Sequence, residues 1–399
     1  MKLIPEIVAQ QADITKLRQD IHAHPELAFE EQRTAQLIAE QLTSWGIAVH
    51  QGLAKTGVIG TISGTAGTSQ RTLGLRADMD ALPLQEANTF TYCSTHPGKM
   101  HACGHDGHVA MLLGAARYLV QHKQNFAGRV HLIFQPAEEQ GGGANQMIND
   151  GLFEKFPCDA VFALHNWPGM PVGTFGTRHG AIMASSNEFK IIIKGEGAHA
   201  ALPHTGVDPI FAACQITNNL QSIITRNKNP LHAAVLSITQ IHAGSATNII
   251  PDQAWIGGTV RTFDLATLDL IEQRMHEIAS HTAKALGCAI DFSFVRNYPP
   301  TINHPSETTL ALDVMQLLVT QDCIYTDVEP TMGAEDFSFM LEARPGCYMF
   351  IGNGEGQRSL PGHGAGPCIL HSPSYDFNDE IIPLGSSFWV KLVETYLNP

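Results

Sequence analysis

The stretch Met100-His-Ala-Cys-Gly-His-Asp-Gly-His108 packs one thiol, one carboxylate and three imidazoles into nine residues. Downstream stand Glu138-Glu139 in Phe-Gln-Pro-Ala-Glu-Glu, His165 in Ala-Leu-His-Asn-Trp-Pro, and His371 in Ile-Leu-His-Ser-Pro. A thiolate, imidazoles and a carboxylate together suit a borderline-soft divalent cation such as zinc. A second Glu beside a ligand Glu is what metal-assisted hydrolysis needs to carry a proton. Cys103 taken alone also fits a buried structural thiol or a papain-like nucleophile. A thiol nucleophile needs one orienting His and an oxyanion hole, and leaves Glu138, Glu139, His165 and His371 without a task. Asp106 reads as the N-cap of the helix that follows, and His101 and His108 as supporting or helix-opening residues. Gly141-Gly-Gly143 lacks the Lys-Ser/Thr of a phosphate-binding loop.

Regular elements must bring these distant residues together. Periodicity predicts helices over 5–24 and 30–45, short strands at 58–62 and 72–76, and a helix over 109–121. Buried-type strands at 129–134 and 159–164 end at the Glu pair and at His165. Three ligand groups therefore fall at strand ends or helix starts, where open α/β sheets build their sites. Residues 187–296 read differently: strand 189–193, helix 207–226, strands 234–241 and 254–261, helix 265–286 and strand 289–295. That β-α-β-β-α-β order is the ferredoxin-like unit. A further helix at 306–319 leads back to the segment carrying His371. The expected fold class is α/β: a mixed sheet flanked by helices over 1–183 and 297–399, interrupted by an α+β domain at 184–296.

At 399 residues the chain exceeds what one core usually supports, so two domains are the default. The formal charge of 24 minus 38, or −14, argues against nucleic acid and anionic membranes as partners. No run approaches the ~20 apolar residues of a membrane span. Met1-Lys-Leu-Ile-Pro-Glu lacks the basic start and apolar run of a secretory signal, and a cytoplasmic protein is expected. The eight cysteines are scattered without paired spacing, which suits buried thiols in a reducing compartment.

Five segments carry a resemblance: Leu75-Arg-Ala-Asp-Met-Asp-Ala-Leu-Pro-Leu84, Met100–His108, Pro136-Ala-Glu-Glu139, Gly197-Ala-His-Ala-Ala-Leu-Pro-His204 and Gly333-Ala-Glu-Asp-Phe337. In this order they resemble the M20 metallopeptidase family over nearly the whole chain. The branch is the amidohydrolase one: hippurate hydrolases, N-acyl-amino-acid amidohydrolases and hydrolases of auxin (IAA) conjugates. The resemblance implies a zinc-peptidase-like catalytic domain, an inserted lid and dimerisation domain, and two divalent ions per subunit (Zn, Mn, Ni or Co). It implies Cys103, His105, Glu139, His165 and His371 as ligands, Glu138 as general base and Asp80 as the carboxylate aligning a ligand. Aminopeptidase-like members place a ligand His where this chain has Asp78, and Cys103 with His105 compensates. His199 is implied as an oxyanion donor, in cis or from a partner subunit. Asn248 and Arg261 are candidate substrate contacts, because a guanidinium fork matches a carboxylate; a structural ion pair is an equal reading of Arg261. The expected reaction is hydrolysis of N-acyl amino acids, hippurate-like or N-acetyl, by a homodimer. A terminal-residue peptidase of the same family and a non-catalytic metal-binding scaffold are the other readings.

Overall fold

The strands that end at the candidate residues are buried on both faces. Thr72–Asp78 and Gly346–Gly352 are buried at every position, and Arg129–Gln135 at every position but the first. Such continuous burial belongs to parallel sheet covered on both sides. The computed structural model, which describes residues 1–357 and 361–398, shows that arrangement. An eight-stranded sheet runs Ala48–Leu53, Gly57–Ser63, Arg129–Gln135, Thr72–Asp78, Ala160–Trp167, Gly346–Gly352, Phe175–Gly176 and Ile324–Tyr325. Its four central strands are mutually parallel, and the two strands at the Ala48 edge are antiparallel. The mixed α/β class expected from sequence is the class found.

Helices Pro5–Ala23, His105–Gln121, Pro305–Leu318 and Ile382–Tyr396 share the apolar core of this sheet. Three features differ from expectation. The helix expected from Val109 begins at His105, so a candidate ligand sits in its first turn. Gly104 allows this: at φ +91 it turns the chain sharply, and a Cβ there would lie 2.2 Å from the Asn166 amide. Asp106 is not the N-cap; its side chain reaches back to helix Pro5–Ala23. The central strand Gly346–Gly352 and the helix Ile382–Tyr396 complete the unit and were not anticipated.

The chain divides into two units, Met1–Ile182 with Ile302–Glu329 and Asp336–Pro399, and Met183–Thr301 with Pro330–Glu335. The second carries a four-stranded antiparallel sheet in the order Ala234–Ala243, Gln253–Thr262, Ser186–Lys194, Ala289–Tyr298. Together with helices Pro209–Ser222 and Leu265–Ala285 this is the ferredoxin-like order. Phe189, Ile191 and Ile193 alternate inward with period two, and Leu268, Ile271, Met275 and Ala279 meet them from one helix face. The helix expected over 207–226 is α-helical only over Pro209–Ser222 and passes into a π turn at Ile223–Asn227. The unit also extends past 296, and Pro330–Glu335 joins it through the Ala184 N–H bonds to Thr331 O and Gly333 O.

Candidate metal centre

Four connections at the carboxyl ends of the parallel strands supply the candidate ligands of the first unit. His105 comes from the start of helix His105–Gln121, and Glu138 and Glu139 follow strand Arg129–Gln135. His165 lies near the end of strand Ala160–Trp167. His371 sits in a left-handed backbone conformation, φ +62, fixed by its N–H bond to Ala102 O at 2.8 Å. The Cys103 Sγ lies 3.5 Å from His165 Nε2, His105 Nε2 lies 4.0 Å from Glu139 Oε1, and His371 Nε2 lies 3.2 Å from the same oxygen. Donor atoms of Cys103, Glu139 and His371 lie within 4.8 Å of one another, and so do those of His105, Glu138 and Glu139. Glu139 belongs to both groups.

The surroundings fix which atoms face inward. Asp80 Oδ1 accepts the His105 Nδ1–H at 3.2 Å, and its other oxygen accepts the Glu139 N–H at 3.0 Å. One carboxylate thereby sets the His105 tautomer and the Glu139 backbone together. His165 donates Nδ1–H to Asn166 O at 2.6 Å, leaving Nε2 toward Cys103. His108 has a donor atom within 4.8 Å of those of Asp78, His105 and His165, but both its ring nitrogens are engaged: Nδ1–H donates to Asp78 Oδ1 at 2.6 Å and Nε2 accepts the Asn166 N–H at 2.9 Å. Asp78 also holds Arg76 at 2.7 Å, and Arg76 reaches Asp336 at 3.1 Å. Asn166 was singled out by no sequence motif. Its side chain donates to Cys103 O at 2.7 Å and accepts the Tyr375 hydroxyl at 2.7 Å, tying strand, ligand loop and C-terminal segment together.

Charge asks for a cation here. Burial works against a charged His105, yet Asp78, Asp80 and Glu139 outweigh it and push its pKa up to about 10. Burial, with Glu139, Glu138 and Asp78 behind it, holds the Cys103 thiol well above its ordinary range. Burial, aided by His108, keeps His165 neutral, the state a ligand needs. His105 Nε2 is buried without a hydrogen-bond partner, and the buried Glu139 Oε1 faces His371 Nε2 at 3.2 Å. Buried polar atoms left unsatisfied are costly, and a divalent ion, by displacing the His105 proton, satisfies a thiol, imidazole and carboxylate set at once. The residues present therefore fit a metal.

His199, Asn248 and Arg261 belong to the second unit. His199 pairs opposite Ile249, and its Nδ1 accepts the Ala201 N–H at 3.0 Å, while Asn248 O accepts the Ala200 N–H at 3.0 Å. Both line one pocket with Gly244 and Asp252. Arg261 is elsewhere on the unit, opposite Val235 on strand Gln253–Thr262.

Comparison with known proteins identifies the family. Residues 74–395 match the model of peptidase family M20/M25/M40. The chain is 42% identical over 397 residues to a hippurate hydrolase of Campylobacter jejuni, covering 100% of both. It is 40% identical to thermostable carboxypeptidase 1 of Saccharolobus solfataricus, over 94% of this chain and 92% of the relative. A solved structure from Bacillus subtilis, described as a dinuclear metal binding peptidase, superposes with a TM-score of 0.84 at 33% identity, covering 98% and 99% of the two chains. With a match over most of its length and relatives above 40% identity, the chain belongs to peptidase family M20/M25/M40.

Proposed function

We propose that the enzyme hydrolyses the amide of N-acyl amino acids, hippurate-like or N-acetyl, to an amino acid and a carboxylic acid. The observation that carries this is the pair of buried donor atoms, His105 Nε2 and Glu139 Oε1, 4.0 Å apart beside Glu138, with His371 Nε2 3.2 Å from the same Glu139 oxygen. Cys103, His105, Glu139, His165 and His371 would hold two divalent ions, with Zn, Mn, Ni and Co all compatible with mixed S/N/O donors. Bound there, the ions supply Lewis acidity and lower the pKa of water. Glu138 takes the proton of the attacking water and returns it to the leaving nitrogen, which must not depart as an anion. Asp80 keeps His105 and Glu139 aligned throughout. His199 steadies the developing oxyanion, and Asn248 and Arg261 bind the substrate's polar end. The second unit serves as lid and dimerisation domain in a cytoplasmic homodimer. In support, strand Ala234–Ala243 forms one edge of its sheet, and Ile241 on it is exposed. Light scattering at micromolar concentration should give twice the 43.3 kDa chain mass, and a monomer would sink that part.

The 40% identical carboxypeptidase favours a second reading, release of a C-terminal residue from a peptide. One panel of acyl-amino acids and dipeptides separates the two. Glu138→Gln tests the mechanism: it should retain metal by elemental analysis and lose about 10²–10⁴-fold in kcat. Near-full turnover in that variant removes Glu138 as the base. Activity that survives a chelator and dies on thiol alkylation would point instead to a Cys103 nucleophile.

A further inference from the structure

Glu31 is fully buried at the start of helix Gln32–Ser44, yet it does not cap that helix. Glu26 does so instead, accepting the Arg33 and Thr34 N–H groups at 2.9 Å each. The Glu31 carboxylate turns to three other segments. Oε1 accepts the Phe29 N–H at 2.9 Å and the Ala137 N–H at 3.0 Å, and Oε2 accepts the Thr56 hydroxyl at 2.7 Å.

Those segments share an unusual property. Phe29, Ala54, Lys55 and Ala137 all have positive φ, four of the five non-glycine residues that do so among the described residues. Each such backbone costs on the order of 1 kcal/mol and persists only where surroundings hold it. Ala137, at φ +55, immediately precedes Glu138-Glu139. Its conformation decides where the next two side chains point. The loop cannot relax elsewhere: the Gly143 N–H bonds to Ala137 O at 3.0 Å, and a Cβ at Gly143 would lie 1.7 Å from Pro136 O. The triple glycine is thus the far anchor of the same turn.

We propose that Glu31 is a positioning residue for the active site, holding Ala137 in its left-handed state so that Glu138 and Glu139 face the metal centre. It acts through hydrogen-bond reach rather than through its charge. This rests on the reading of Glu138 and Glu139 given above.

Glu31→Gln keeps the reach: its carbonyl oxygen can accept both N–H groups and its amide can donate to Thr56. Glu31→Asp keeps the charge but withdraws the acceptor by one methylene. In the metal-loaded enzyme, Glu31→Gln should stay within about threefold of the parent kcat, while Glu31→Asp should lose roughly 10²-fold with KM little changed. Adding Ala137→Gly, which adopts positive φ without strain, should restore part of the kcat per folded molecule lost in Glu31→Asp. Both variants at parental rate, both equally impaired, or Asp better than Gln would each overturn the proposal. A fall in urea midpoint with kcat per folded molecule unchanged would do so too. Glu138→Gln in the same series separates the two readings. If it stays active, the reading of the base has failed; if it is inactive while Glu31→Asp is not, only the positioning role has.

Discussion

Asn166 shows how a residue without reactive chemistry can govern the centre. It follows His165, and its amide bridges Cys103 O and the Tyr375 hydroxyl while its backbone N–H fixes His108. Asn166→Ala removes the side-chain partner of Cys103 O and of the Tyr375 hydroxyl, at about 1–3 kcal/mol each, and keeps the backbone N–H to His108. Because the lost contacts orient Cys103 and His165, metal affinity should fall by about 10–100-fold. Competition against a metal-binding dye measures this directly. An unchanged dissociation constant in a folded variant would show that the ligands hold their own positions. The candidate ligands could be picked from the sequence because thiol, imidazole and carboxylate stood at the ends of predicted strands. Asn166 and Glu31 were not, since an amide or carboxylate that serves backbone groups and hydroxyls far off in the sequence has no spacing signature.

The helix Pro5–Ala23 read as amphipathic from Ile7, Ile14, Leu17 and Ile21; the three isoleucines are buried and Leu17 is half-buried against the same core. The same helix also buries Arg18 and His22, which the apolar pattern could not disclose because their partners lie elsewhere in the chain. Arg18 meets Asp379 at 2.8 Å, 361 residues away, and Asp106 at 3.3 Å. His22 donates to Asp106 at 2.9 Å and faces Glu86 at 3.3 Å. Asp106 thus joins the ligand-bearing helix His105–Gln121 to the N-terminal helix. Burial works against a charged His22, but Asp106 and Glu86 outweigh it, with Arg18 opposing, and push its pKa up to about 9. A folded pKa above the ordinary 6.5 means the stabilisation is complete below about pH 6.5 and is lost as pH rises through about 9. The shift corresponds to ~3 kcal/mol. Urea unfolding of the loaded protein at both ends of that window should show the parent losing about that much more than His22→Gln. Parallel losses in the two proteins would remove His22 as the source. The strand Gly346–Gly352 was also missed. Its apolar run, 347–351, is as long as those of the strands expected at 58–62 and 72–76, and pairing with both Ala160–Trp167 and Phe175–Gly176 makes it a central strand.

At the scale of the whole chain, metal and stability should be coupled in one unit and not in the other. Each unit has its own apolar core, one around Phe134, Phe162 and Trp389, the other around Phe189, Ile256 and Ile271. All five candidate ligands lie in the first unit, drawn from connections spread between residues 103 and 371. An ion bound there cross-links four chain segments, and it lies beside the carboxylates of Glu138 and Glu139. Ligand at about a thousandfold its dissociation constant stabilises the folded state by roughly 4 kcal/mol. Hydrogen exchange with and without chelator reads this by strand. Chelation should speed exchange in Arg129–Gln135 and Ala160–Trp167 and leave Ser186–Lys194 and Gln253–Thr262 nearly unchanged. Cores that opened together would lose protection to the same extent, and a centre that held no ion would lose none. Either pattern would break the link drawn between the ligands and the unit that carries them.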